Sequence, residues 1–112
     1  ADDGCLLCGS DIESPIHLFG ECCFAKQVWY CSFLQVDIAR VRGQTFIDWW
    51  HHLIRPWSNL DNRDWLIRVA VFILWQIWKA RNNKRFNNVV GCLLATAQLA
   101  HHLAAEYTDV LN

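Results

Sequence analysis

The sequence predicts a mainly α chain, with a small cysteine- and histidine-rich knuckle at the N-terminus packed on a bundle of about four helices. Two observations carry the prediction. Apolar side chains recur at three- and four-residue spacing in successive stretches, the pattern of helices with one buried face. Ahead of them, CLLCGSDIESPIHLFGECC, residues 5–23, holds four cysteines and one histidine. The length of 112 residues is that of one domain, and a 54% hydrophobic composition with seven tryptophans is enough for a core without cross-links. No internal repeat, low-complexity segment or long linker divides the chain. Residues 1–112 are therefore read as one domain, a knuckle over 1–23 and a helical bundle over 24–112.

The knuckle comes first. Cysteines stand at 5, 8, 22, 23, 31 and 92, an even number that invites a disulfide reading. The spacing favours a metal. Cys5 and Cys8 have two residues between them, so one tight turn points both sulfurs at a single ion. Gly9 follows directly, where glycine accepts the positive φ of such a turn. Eight residues separate Cys8 from His17 and four separate His17 from Cys22, about one helical turn plus a step. Thiolates and an imidazole in a set of four are the donors of tetrahedral zinc. Cys22 and Cys23 could each supply the fourth. The acidic N-terminal stretch ADDGCLLC lacks the apolar segment of a secretory leader, so an intracellular setting, nucleus or cytoplasm, is expected, where disulfides are rare.

The helices follow in order. Residues 21–34 form the first, with Phe24, Val28, Cys31 and Leu34 on one face and Trp29 beside it. Residues 36–43 read as a loop. Residues 44–54 form the second, with Phe46, Ile47, Trp50 and Leu53 on its apolar side and Pro56 to end it. Residues 61–85 form a long central helix, with Asp61 as N-cap and Asp64 at the positive end of the dipole. Its run WLIRVAVFILWQIW, residues 65–78, is too short to span a bilayer comfortably and carries Arg68, so it reads as a buried core helix and no membrane partner is expected. Residues 89–111 form the last helix, rich in alanine and leucine. Cys31 and Cys92 read as small core residues, and most tryptophans as core. The pairs His51–His52 and His101–His102 read as surface or interhelical polar residues, because neighbours on a helix point about 100° apart and chelate poorly.

These residues resemble a known family. The two-residue Cys5–Cys8 pair, Glu13, His17-Leu18-Phe19, Glu21-Cys22, Phe24-Ala25-Lys26 and Trp29 look like the zinc-binding domain found after the reverse transcriptase in plant LINE-type (non-LTR) retrotransposon polyproteins. IWKARNNKRF, residues 77–86, is similar to that family's Trp-Lys-x-Arg-Asn segment. The resemblance covers roughly residues 5–88 and implies Cys5, Cys8, His17 and Cys22 as metal ligands, with Cys23 at a position the family commonly gives to proline. It implies one structural Zn2+ and, as partner, RNA or DNA.

Catalytic signatures of such polyproteins are missing. The nearest string to a Tyr-x-Asp-Asp loop, Tyr107-Thr108-Asp109-Val110, lacks the second aspartate, and no carboxylates are grouped for two-metal chemistry. Neither a nucleophile–base pair nor an acid pair has recognisable spacing, so no enzyme is expected. Three thiolates and a histidine would fill all four zinc positions, which makes the metal structural, since catalytic zinc keeps one open. For nucleic acid the candidate contacts are Lys79, Arg81, Lys84 and Arg85, with Lys26, Arg40 and Arg42 in support. The net charge of −1 and the pI near 6.6 oppose strong non-specific attraction. The alternative is a domesticated plant protein-interaction module that binds a protein partner or self-associates, through HHLIRPW (residues 51–57) or the last helix.

Overall fold

The computed structural model describes residues 5–9, 14–89 and 91–111. Glu13 of the resemblance, and residues 1–4 and 112 of the expected domain span, lie outside them. The described residues form four α-helices and no strand: α1 Cys23–Cys31, α2 Phe46–Ile54, α3 Arg63–Asn87 and α4 Leu93–Leu111. A π-helical turn, His17–Glu21, precedes α1, and short 3-10 turns cover Ile38–Arg40 and Arg55–Trp57. The fold class is as expected: a mainly helical body with a Cys/His cluster near the N-terminus.

The molecule measures 45 × 29 × 19 Å. A helix with its side chains is about 10–12 Å across, so the thin dimension holds two layers. α3 and α4 form an antiparallel hairpin, in which Arg68 donates to Thr108 Oγ1 at 2.7 Å and Phe72 lies beside Tyr107. Val69, Ala70, Ile73, Ile77 and Ala80 of α3 and Ala97, Ala100 and Ala104 of α4 are buried. The short alanine side chains let the two axes approach closely. α1 lies against both helices, and Trp29 at its centre has no exposed surface. Among the described residues no helix is long and apolar enough to cross a membrane.

Several expected boundaries move, each for a local reason. The first helix begins at Cys23 rather than 21, because Cys22 is extended (φ −60°, ψ 135°) between the π turn and α1. It ends at Cys31, where Ser32 Oγ donates to the Trp29 carbonyl and Val36 N–H reaches the same oxygen. The expected loop over 36–43 contains the 3-10 turn, and Ile38 there is buried. α2 starts at Phe46 because Thr45 caps it, accepting from Asp48 N–H. Asp61 does not cap α3; that helix starts at Arg63, and Asn62 occupies the cap position without a side-chain bond. α3 runs to Asn87 and stops where Asn88 turns left-handed (φ 52°), so α4 begins only at Leu93.

The expected apolar faces are corrected at four positions. Cys31 and Cys92 are exposed, not core. In α2, Ile47 faces solvent and Trp49 is buried, while Trp50 packs half-buried against the core, on the apolar side as expected. The periodicity of FIDWWHHLI allows either indole inward, and the knuckle selects Trp49. Most tryptophans do belong to the core: Trp29 and Trp49 are buried, and Trp50, Trp57 and Trp65 pack half-buried against it, while Trp75 and Trp78 are exposed on α3.

Candidate metal centre

The centre is built by two turns. In the first, Gly9 N–H bonds back to the Cys5 carbonyl at 2.6 Å, with Gly9 at φ 73°. This is the left-handed residue expected after the Cys5–Cys8 pair. In the second, the Cys22 amide bonds to the His17 carbonyl at 2.7 Å, five residues back. On an ordinary α-helix, positions five apart point about 140° away from each other. The wider π turn returns Cys22 to the azimuth of His17, so both face one point. Single π turns of this kind are common at functional sites.

Gly20 makes that turn possible. A Cβ there would sit 2.6 Å from the Trp49 indole nitrogen, so any larger residue collides with the buried ring. Trp29 ties down the same turn from below, its indole N–H donating to the Phe19 carbonyl at 2.7 Å. Trp49 and Trp29 pack edge to face at 6.0 Å, and Phe46 meets Phe19 at 5.7 Å. Helix α2 is therefore the buttress of the knuckle.

One ligand atom from each of Cys5, Cys8, His17 and Cys22 lies within 4.8 Å of the other three. The Cys5 and Cys22 sulfurs are 3.7 Å apart, and Cys8 Sγ is 3.3 Å from His17 Nε2. Cys5, His17 and Cys22 are buried and Cys8 is half-buried. This group could hold a metal ion. Cys23, next in sequence, begins α1 with its thiol exposed and takes no part.

Burial pushes the Cys22 thiol up to about 12. The amides of Ala25 and Phe24, at the start of α1, act in the opposite direction, and the neighbouring Cys5 adds to the rise. Neither amide reaches the geometry of a helix cap. A metal bound here would displace the proton that Cys22 holds firmly.

Sequence reasoning missed Glu21. Its carboxylate oxygen lies 3.8 Å from His17 Nδ1, on the far side of the ring from Cys8. That separation is longer than a hydrogen bond, so the carboxylate places negative charge beside the ring without fixing its tautomer. The signal was present as a His–Glu pair four apart, readable only once residues 17–21 are known to be helical.

The remaining expected site residues are dispersed. On α3, Arg81 and Arg85 share a face, whereas Lys79 lies about 160° from Arg81. Arg81 stacks over Trp78 at 5.1 Å and donates to Asn82; Arg85 stacks over Phe86 at 5.5 Å; Lys84 bonds Asn88 at 3.1 Å. Lys26 and Arg42 line a separate cavity of about 250 Å³ beside the knuckle, shared with Glu21, and Arg40 pairs with Asp37. The histidine pairs build no second metal cluster among the described residues. His52 Nδ1 accepts from the Arg42 amide, His101 stacks on Phe33, and His102 pairs with Glu106.

Comparison with protein-family models, with curated proteins and with solved structures gave no match.

Proposed function

We propose that this chain is a non-catalytic zinc-binding module, held by one structural zinc on Cys5, Cys8, His17 and Cys22, that works through its helical surfaces. The observation that carries it is the convergence of those four donors. With Zn–S near 2.3 Å and Zn–N near 2.0–2.1 Å, a tetrahedron has S···S edges of about 3.8 Å and S···N edges of about 3.6 Å. The 3.7 and 3.3 Å separations fit those edges. Soft thiolates with an imidazole suit zinc and not magnesium or calcium, whose ligands are oxygens. Zinc on four protein ligands supplies folding free energy and no open position for chemistry. It would clamp the turn at residues 5–9 to the entrance of α1. A reducing compartment, nucleus or cytoplasm, is the setting that preserves such thiolates.

Exposed large apolar side chains on α3 and α4 support a protein-contact role for the module. Metal analysis of the purified chain tests the centre. One zinc per chain is expected; two zincs, or a metal-free chain with disulfides among these cysteines, would overturn it.

A second reading is nucleic-acid binding, as the resemblance to the plant retrotransposon zinc domain implies. It is favoured by Arg81 and Arg85 sharing a face of α3 with the exposed Trp78, a cation–aromatic arrangement that can grip a phosphate and stack a base. Titration with single-stranded RNA and duplex DNA across a salt series checks it. Affinity that falls linearly in log salt and drops on neutralising Arg81 and Arg85 supports it; no binding at low salt removes it.

A further inference from the structure

Where α3 ends and α4 begins, the two helices part around a recess of about 220 Å³ that shares no residue with the metal centre. Gln76, Lys79 and Asn83 line it from one face of α3. Gly91, Cys92 and Thr96 line it from the connection and the first turn of α4. Gln76 is 5% exposed, and its amide nitrogen is buried with no hydrogen-bond partner among the described residues. Buried donors left unmet are rare, and each calls for a partner. The recess beside Gln76 is the space for one.

The charge around this space has one sign. No aspartate or glutamate lines it, and Lys79 forms no ion pair among the described residues. No acidic residue stands between Asp64 and Glu106 in the sequence, although the net charge of the chain is −1. Asn83 Oδ1 already accepts from Asn87, which leaves the Asn83 NH2 to donate. Thr96 Oγ1 donates to the Cys92 carbonyl at 2.8 Å and offers no free proton. The first turn of α4, where a helix favours anions, borders the same space.

We propose that this recess binds a small organic carboxylate. The Lys79 ammonium and the amides of Asn83 and Gln76 hold its oxygens, and Ala80 and Leu99 meet its hydrocarbon end. The terminal torsion of a glutamine is broad, so the Gln76 NH2 turns toward a ligand oxygen at little cost. One ammonium balances one negative charge, and no arginine lines the recess to supply the fork that suits phosphate. The volume is below the roughly 300–1,000 Å³ of sites for drug-sized molecules, so the ligand has only a few carbons. Gly91 keeps the space open. A Cβ there would stand 3.7 Å from Thr96 Oγ1 and 3.9 Å from the Ala80 methyl, between two walls of the recess and without collision. The site goes beyond the metal-module reading and does not depend on it.

Titration of the full chain with butyrate at pH 7 and constant ionic strength, followed by 15N–1H spectra, tests this. The side-chain amide signals of Gln76 and Asn83 are expected to shift and saturate in the millimolar range. Alkylation of the exposed Cys92 slows with the same midpoint, while Cys23 and Cys31 react as before. Lys79→Gln weakens binding about tenfold. Lys84→Gln removes the same charge outside the recess and leaves the midpoint unchanged. Gly91→Ala, which adds a methyl that fits, weakens binding severalfold. Circular dichroism confirms that the variants fold. Signals that do not saturate, as for a recess holding water only, overturn the proposal. So does a midpoint indifferent to Lys79→Gln, or one moved equally by Lys84→Gln. Inorganic phosphate or single-stranded RNA that shifts the same signals at lower concentration than butyrate overturns the choice of carboxylate.

Discussion

Cys22 and Cys23 are neighbours with opposite fates, and exchanging each for serine separates them sharply. Cys22 has no exposed surface, and its sulfur lies 3.7 Å from that of Cys5; Cys23 is exposed. Structural zinc contributes about 10–16 kcal/mol of apparent binding energy over four ligands. Losing one ligand therefore costs about 3 kcal/mol, more than a hundredfold in affinity. Competition against a chromophoric chelator measures the affinity of each variant. Cys22→Ser should lose at least a hundredfold, and Cys23→Ser should match the parent within about twofold. Equal losses in both, or a loss confined to Cys23→Ser, would refute the assignment of the ligands.

Three further outcomes are expected. Gly20→Ala forces a methyl against the Trp49 indole, an overpacking of about 1–3 kcal/mol that should lower the midpoint in urea and weaken zinc together; an unchanged midpoint would show that Trp49 is free to withdraw. In the metal-free chain, the native Cys22 keeps a proton that the unfolded chain releases near 9.0. Stability is therefore full below pH 9 and falls as pH rises toward 12, by about 1.4 kcal/mol per pH unit from this group; denaturation of the chelated chain at pH 7, 9 and 10.5 checks the slope, which Cys22→Ala should abolish. Brief alkylation of the zinc-loaded protein should modify the exposed Cys23, Cys31 and Cys92 and spare Cys5 and Cys22, with the count rising after chelation; mass spectrometry of the peptides gives the answer directly.

Much of the architecture was legible because it rests on local signals. The helical class follows from apolar spacing, and the turn at Gly9 from the one residue that accepts φ 73° freely. The long central helix was found to within two residues because WLIRVAVFILWQIW has few competing conformations. Cap positions were less legible: Asp61 offers a capping side chain, yet α3 starts two residues later, after a turn in which Arg63 N–H bonds the Leu60 carbonyl. Spacing alone also misplaced Cys31 and Cys92, since a small apolar residue carries no mark of whether a neighbouring segment covers it.

What the sequence determined by itself is the chemistry available: the donor types for one metal, the number of helices, and a composition rich enough in aromatic residues to build a core. What only the tertiary structure decided is which of several equivalent residues receives each role. The π turn at residues 17–21 selects Cys22 over Cys23 by rotating one sulfur inward. The knuckle selects Trp49 over Trp50 because Gly20 leaves room for one indole. The two-layer packing leaves the outer side of α3 uncovered, although its composition is that of a buried helix. Each choice depends on contacts between segments far apart in the chain, and a local pattern holds no record of them.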